Sequence, residues 1–374
     1  MNRKGLPEDE VFSILDRALQ KDRSYDKVLN AMCTRPHPVA VKAHMQFIEA
    51  NLGDSGLFPG TRELEEKVVS ILGELMGDRN ACGYISTGGT ESNIQALRTA
   101  RNLKHKKHPN VVLPESAHFS FDKIADILGI EIRKAQLDSE FKVDTGSVEN
   151  LIDDNTIALV GIAGSTEFGQ VDPINELSDI ALSHDLFLHV DAAFGGFVIP
   201  FLDKKIDFNF SVNGVTSITI DPHKMGLSTI PAGGLLFREE ACLLPLEIDT
   251  PYLTIRKQYS LTGTRSGAAV AAAYAVMTHL GRDGYRMIVN RCMRMTHRIV
   301  QGAKEFGVEP LTEPMMNVVA LDVPYIDTVR KKLHEKGWMT SVTRKPRAMR
   351  LILMPHMTEE NIEVFLSDLR DCIS

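Results

Sequence analysis

The sequence has no apolar run long enough to cross a membrane, no excess of basic charge and no paired-cysteine spacing. Each absence removes a class of protein. A membrane-spanning helix needs about 20 consecutive apolar residues, and the opening MNRKGLPEDE does not read as a secretory signal. A net charge of −7 over 374 residues argues against a general nucleic-acid binder. The one notable basic cluster, KHKKHP at 104–109, reads as a solvated loop after a helix. The five cysteines (Cys33, Cys82, Cys242, Cys292 and Cys372) are scattered, odd in number and without CxxC spacing. That fits a reducing cytoplasm and argues against zinc, so no metal site is expected. The GxGxxG and GxxxxGKS/T spacings are also missing, which disfavours dinucleotide and nucleoside triphosphate binding.

What is present is the composition of an ordinary globular protein, 43% hydrophobic and 24% charged, long enough to favour two domains over one. Up to about residue 51 the chain looks helical and partly amphipathic, broken by TRPHP at 34–38. Residues 6–19 have helix-spaced apolar positions, and Glu8, Asp9 and Glu10 fall in the first turn, where the macrodipole favours acids. A turn-rich loop, GDSGLFPGT at 53–61, enters a helix that runs to about residue 76. Strands then alternate with helices: strands at 110–113, 131–134 and 157–161, helices at 119–128 and near 147–153, and another helix from about 173. This rhythm indicates an α/β fold with a large, doubly wound, mostly parallel sheet. A small-residue helix begins within 262–280, and from 282 the pattern changes to a small α/β domain with strands at 317–323 and 349–353. The expected division is a helical arm over 1–52, a large domain over 53–281 and a small C-terminal domain over 282–374.

The stretch that organises the chain is 186–226, from LFLHVDAAFGG to SITIDPHKMG. A short buried strand at 186–190 delivers Asp191 at its carboxyl end, and a second at 217–220 delivers His223 and Lys224 in the turn that follows. Open α/β sheets place ligands at such strand ends. Alone, Asp191 would read as a cap and Lys224 as a surface lysine. Together, with Gly195, Gly196 and Gly226 beside them, they suggest a lysine that forms a Schiff base with an aldehyde cofactor and a carboxylate that keeps the cofactor's pyridine nitrogen protonated. Upstream, STGGTESN at 86–93 turns from a strand into a helix, and its open backbone N–H groups at a helix N-terminus can hold a phosphate.

HVDAAFGG and DPHKMG, with STGGTESN and the GLFPGT loop, resemble the pyridoxal phosphate signature of the group II amino-acid decarboxylases, most of all the archaeal L-tyrosine/L-aspartate decarboxylase family. The resemblance covers nearly the whole chain. It implies the aspartate-aminotransferase-like fold (fold type I), pyridoxal 5′-phosphate as cofactor, and a homodimer with shared active sites on which the N-terminal arm packs. By the same resemblance, cofactor contacts fall to Gly88, Gly89, Thr90, His118, Thr166, Asp191, Ala193, His223, Lys224 and Thr264. Lys224 and Asp191 would be catalytic, with His118 stacked on the pyridine ring and contributing to proton transfer. Ser165 is one residue away from the Thr166 assignment. Thr264 has two compatible readings, as a helix N-cap or as a phosphate ligand of the neighbouring subunit. Asp172, next to Pro173, reads as a helix cap and not as a catalytic acid.

Substrate contacts are implied for Arg350, which would fork onto the α-carboxylate, and for Leu57 and Phe58, which would wall the pocket. Arg344 and Arg347 lie close enough in sequence to be confused with Arg350. Family members make tyramine for methanofuran or β-alanine for coenzyme A, and tyrosine stands slightly ahead of aspartate here. Met225, where many aromatic amino-acid decarboxylases have tryptophan, leaves the side-chain pocket open. The alternative is a C–C lyase of the sphingosine phosphate lyase type, which would need a second phosphate site and usually carries a membrane anchor. A cysteine desulfurase would need a cysteine in a mobile glycine- or serine-rich loop, and a non-catalytic scaffold would not need both Asp191 and Lys224.

Overall fold

Seven short strands pair into one sheet, and its carboxyl edge is where the residues singled out above converge. The structure, a computed structural model, describes residues 3–373. The strands are β1 (Cys82–Ser86), β2 (Asn110–Pro114), β3 (Glu131–Ala135), β4 (Thr156–Ile162), β5 (Phe187–Asp191), β6 (Val215–Ile220) and β7 (Gly233–Phe237), in the spatial order β1-β7-β6-β5-β4-β2-β3. Pairing is parallel from β6 through β3, and β7 runs antiparallel to both of its neighbours. The sheet is therefore mostly parallel, as the alternation of elements implies. Strands β2, β4 and β5 are buried at every position, as expected of parallel strands covered on both faces.

The two faces can be read from side-chain alternation. Val111, Leu113, Val160 and Ile162 point into a core shared with Ile94, Leu97, Phe121 and Ile124, whereas Val112, Leu159, Leu188 and Val190 join Val68, Leu72, Ile174 and Leu177. Helices α1 (Glu8–Leu19), α2 (Pro38–Gln46), α3 (Pro59–Leu75), α4 (Gly89–Lys104), α5 (Ser120–Leu128), α6 (Thr145–Leu151) and α7 (Ile174–Ser183) are thus distributed so that α4 and α5 cover one face while α3 and α7 cover the other. A two-residue hairpin, β8 (Ile248–Asp249) with β9 (Lys257–Gln258), follows the sheet.

Helix α8 (Gly267–Lys304) then leads into an antiparallel sheet of β10 (Glu309–Pro310), β11 (Val318–Asp322), β12 (Ser341–Val342) and β13 (Met349–Ile352), in the order β10-β11-β13-β12. Helices α9 (Ile326–Glu335) and α10 (Glu359–Ile373) complete this second unit, with Trp338 packed edge-on against Phe365 in its core. The segment before α2 is stitched to it: Leu29 N–H donates to Met339 O and Ile352 N–H to Leu29 O.

Two details differ from the sequence expectations. Helix α8 begins at Gly267, not near 262, and its N-cap is Ser266, whose hydroxyl accepts from Ala269 N–H. Thr264 is not the cap, because the backbone of Arg265 is held in a pairing with Asn51 and Leu52 and cannot yet turn into helix. At Gly281, whose φ of 56° and ψ of −174° are not helical, the helix ends as expected at 280 and a second one continues from it across a kink, in a conformation glycine adopts without a Cβ penalty. Asp172 does not cap α7. Its buried carboxylate accepts from Ile162 N–H at 2.7 Å and Val143 N–H at 2.9 Å, tying the end of β4 to the segment before α6.

Gly233 on β7 meets the loop that precedes α4. A Cβ there would lie 2.5 Å from Gly88 Cα and 2.6 Å from Gly88 N. Gly233→Ala is therefore expected to destabilise the protein by about 1–3 kcal/mol through overpacking. Chemical denaturation checks this, and unchanged stability would mean that the loop is not held against β7.

Candidate active site

Strands β4, β5 and β6 end side by side, and the N-terminus of α4 faces them across a cavity of about 500 Å³. Gly88, Gly89, Thr90, His118, Thr166, Asp191, Ala193, His223, Lys224 and Arg350 all line it. Leu57, Phe58 and Thr264 do not line this cavity. Leu57 is exposed, and all three lie on the side of the chain where Gly53 meets Gly263.

Lys224 sits in the turn after β6. Its Nζ lies 3.1 Å from Asp221 Oδ2, and the same oxygen accepts from Gly89 N–H at 3.1 Å. Burial works against the ammonium, but Asp221 and then Asp191 outweigh it and hold the Lys224 pKa above the ordinary lysine value. The second oxygen of Asp221 is buried and has no hydrogen-bond partner among the described residues. Asp191 closes the end of β5, accepting from Asn93 Nδ2 at 2.8 Å and from Ala193 N–H at 3.1 Å. Two neutral donors thus fix the direction of the carboxylate.

The two histidines of the cavity are held neutral. Burial pushes both the His118 and His223 pKa values down, against the opposing pull of nearby carboxylates. His118 Nδ1 accepts from Ser120 N–H and His223 Nδ1 from Ala232 N–H, which fixes both rings. Thr166 faces the cavity while Ser165 turns away, its hydroxyl accepting from Gln170 N–H. Of the three arginines near β13, Arg344 pairs with Glu167 and Arg347 with Asp327 at the surface. Arg350 alone reaches the cavity, buried, donating to Thr166 O, Asn30 O and Ser341 Oγ. No carboxylate among the described residues pairs with it, and burial lowers its pKa to about 10.

Several lining residues were not assigned from the sequence, among them Asp221, Asn93, Met32 and Cys33. Asp221 and Asn93 stand inside the quoted motifs, three residues before Lys224 and four after Gly89, so helix and turn spacing could have found them. Met32 and Cys33 arrive from the N-terminal segment only through tertiary folding.

The residues fit pyridoxal phosphate on the geometry alone. Gly88, at φ 151°, and Gly89 open the N-terminus of α4. A Cβ on Gly88 would approach His223 at 3.1 Å, and one on Gly89 would approach Asp221 and Ala193, so glycine is what keeps this cradle open. First-turn N–H groups of a helix have no partner within the helix and suit a phosphate. An amine, a carboxylate held by neutral donors and a guanidinium without a counter-ion complete the donor set an amino acid and an aldehyde cofactor require.

Residues 42–321 match the conserved domain of pyridoxal-dependent decarboxylases. A probable L-tyrosine/L-aspartate decarboxylase of Methanothrix thermoacetophila is 61% identical over 370 residues, covering 99% of this chain and 97% of that protein. A probable L-aspartate decarboxylase of Archaeoglobus fulgidus is 53% identical, over 96% of this chain and 98% of that one. Among solved structures, a sphingosine-1-phosphate lyase of Burkholderia pseudomallei superposes with a TM-score of 0.93 at 26% identity, over 100% of this chain and 92% of its own. The Lactobacillus brevis glutamate decarboxylase, at TM-score 0.92 and 21% identity over 100% and 93%, shares the fold.

The Asp221 contact makes a prediction for the cofactor-free protein. Asp221→Asn removes the nearest counter-charge, so the Lys224 ammonium should lose its proton at lower pH. Labelling of Lys224 by an amine-specific reagent, followed by mass spectrometry across a pH series, should shift toward lower pH. An unmoved profile would assign the raised basicity to Asp191 instead.

Proposed function

The chain belongs to the pyridoxal-dependent decarboxylase family, and from that premise we propose that it removes the α-carboxyl group of L-tyrosine, giving tyramine, and of L-aspartate, giving β-alanine. The observation that carries this is Arg350, a buried guanidinium that the fold leaves without a carboxylate and directs into the same cavity as Lys224 and Asp191.

Pyridoxal phosphate, when bound, supplies an aldehyde for the substrate's amine and an electron-poor pyridinium that draws off the electron pair released with CO2. The protein's own groups supply the rest. The N–H groups at the start of α4, around Gly88, Gly89 and Thr90, are placed to hold the phosphate. Ala193 and His223 flank that cradle, and Thr166 stands at the other rim. Asp191 is assigned to the ring nitrogen and the neutral His118 to the ring face. Arg350 gives the substrate α-carboxylate its charge partner, and a bidentate guanidinium contact fixes the direction of the bond to be broken. When CO2 leaves with the carboxyl carbon, the electron pair left on Cα must take up a proton. Lys224, kept as an ammonium by Asp221, stands ready to give it and is left as the free amine that displaces the product.

Tyrosine is placed first because, among the described residues, the lysine and arginine side chains lining the cavity are Lys224 and Arg350, and both already have a role. Met32, Cys33 and Ile230 supply apolar or weakly polar surface beside them. The aspartate reading draws on the printed names of the relatives. The lyase alternative would need a second phosphate site, for which these two cations leave no spare charge. The products would enter methanofuran and coenzyme A synthesis in the cytoplasm, a setting that suits five free cysteines.

A homodimer is the working unit we infer. Helix α1 buries none of its residues, and Val11, Phe12, Leu15 and Leu19 stand exposed along it, an apolar stripe of the kind a partner subunit covers. Leu57, Phe58 and Thr264, absent from this chain's cavity, would then act in the partner's site. The division into an arm (1–52), a large domain (53–281) and a small domain (282–374) is kept as part of this reading.

CO2 release from tyrosine, aspartate, glutamate and phenylalanine by the cofactor-loaded protein tests the proposal. Release from tyrosine, with or without aspartate, is expected, and silence across the panel would sink the decarboxylase reading. Arg350→Ala should raise KM by about 30-fold or more, the cost of removing one partner from a buried charge pair, with a smaller effect on kcat. An unchanged KM would move the α-carboxylate to another residue.

A further inference from the structure

Asp191 is backed by a buried polar cluster that the chemistry above does not use. Asn93 on α4, His189 on β5 and Ser217 and Thr219 on β6 are all at most 1% exposed. Asn93 Nδ2 donates to Asp191 Oδ2 at 2.8 Å. Asn93 Oδ1 lies 2.7 Å from Thr219 Oγ1 and 3.0 Å from His189 Nε2, and His189 Nδ1 lies 2.8 Å from Ser217 Oγ. Thr219 Oγ1 is also 3.3 Å from His189 Nε2.

The directions of the Thr219–Asn93, His189–Asn93 and His189–Ser217 bonds follow from the first. An ionised carboxylate only accepts, so Asn93 must turn its NH2 toward Asp191 and its oxygen away. That oxygen only accepts, so the Thr219 hydroxyl and His189 Nε2 must both donate to it. His189 therefore carries its proton on Nε2, and Nδ1 accepts from the Ser217 hydroxyl. Burial keeps the ring neutral, lowering its pKa to about 4, which is what this arrangement needs. Every donor points toward Asp191. Such a chain polarises along its length in a dry interior, and it leaves Asp191 no donor duty to perform on its protein side.

We propose that Asn93, His189, Ser217 and Thr219 are positioning residues that aim the Asp191 carboxylate, and through it fix the proton on the cofactor's ring nitrogen. The inference rests on the reading of Asp191 as the partner of that nitrogen. The cluster has a single consistent direction, and it ends on the carboxylate that lines the cavity.

The test compares two ligands on the full chain, stripped of cofactor and reloaded: pyridoxal phosphate and its analogue with a C–H in place of the ring nitrogen. The wild-type protein is expected to bind the natural cofactor about tenfold or more tighter than the analogue, as removal of one hydrogen bond to a charged group implies. Asn93→Leu should bring that preference close to one, with the affinity for the analogue unchanged. His189→Leu should lower it by several-fold, and His189→Gln, which keeps a donor toward Asn93, should restore most of it. If either leucine variant fails to fold, Thr219→Val keeps the shape and removes one donor, and a reduced preference is expected there too. A preference equal to wild type in all folded variants would overturn the relay while leaving the Asp191 assignment standing. Equal binding of both ligands by the wild-type protein would overturn the Asp191 assignment, and the relay with it.

Discussion

Asp221 accepts at once from the Lys224 ammonium and from the N–H of Gly89, and this shared acceptor is the constraint on which the rest of the site depends. It joins the turn after β6 to the first residue of α4, two segments far apart in sequence. Breaking a buried ion pair by deleting one partner costs about 3–5 kcal/mol, because the other charge is left without compensation. The contact therefore fixes where the lysine's amine can be relative to the phosphate cradle. With that distance set, Asp191 at the end of β5 falls on the far side of the same cavity, because β5 and β6 pair in parallel and end together.

Arg350 imposes a second constraint, of opposite character. It is a cation without an anion, anchored by carbonyl and hydroxyl groups from three separate segments. Those acceptors orient the guanidinium without neutralising it, so its charge remains available to a ligand. Burial makes it easier to deprotonate than a surface arginine, yet it stays charged at neutral pH. The site thus combines one cation that is fully committed within the protein and one that is not.

Much of this was legible in the sequence because the signals were local. Fully apolar strands such as 157–161, flanked by turns, fixed the α/β class. Glycine-rich strand–helix junctions marked the cradle, and Lys224 and Asp191, singled out from the sequence, both line the cavity beside it. What escaped were the tertiary relations. Thr264 reads as a cap in the sequence because the pairing of Arg265 with Asn51, which delays the helix, spans more than 200 positions. Asp172 looks like a cap beside Pro173, and only the fold reveals the two N–H groups of Ile162 and Val143 converging on it. Asn93 lay in plain view within STGGTESN, one helical turn after Gly89, a spacing that places it beside the cradle but does not name the strand-end carboxylate it meets. Leu57 and Phe58 sit outside the cavity of the chain, which their place in a turn-rich loop did not reveal.

The bend of α8 at Gly281 bears on how accurately the small sheet can be placed. From Gly281 to Lys304 the helix extends about 34 Å at 1.5 Å per residue, so each degree of error in the bend displaces its far end by about 0.6 Å. A lever of that length cannot by itself hold a guanidinium to within hydrogen-bonding tolerance of a substrate. The short ties between residues 28–30 and the small sheet, and from Arg350 itself to Thr166, act close to the point that matters. The helix sets the approximate placement, and those nearby hydrogen bonds set the final alignment.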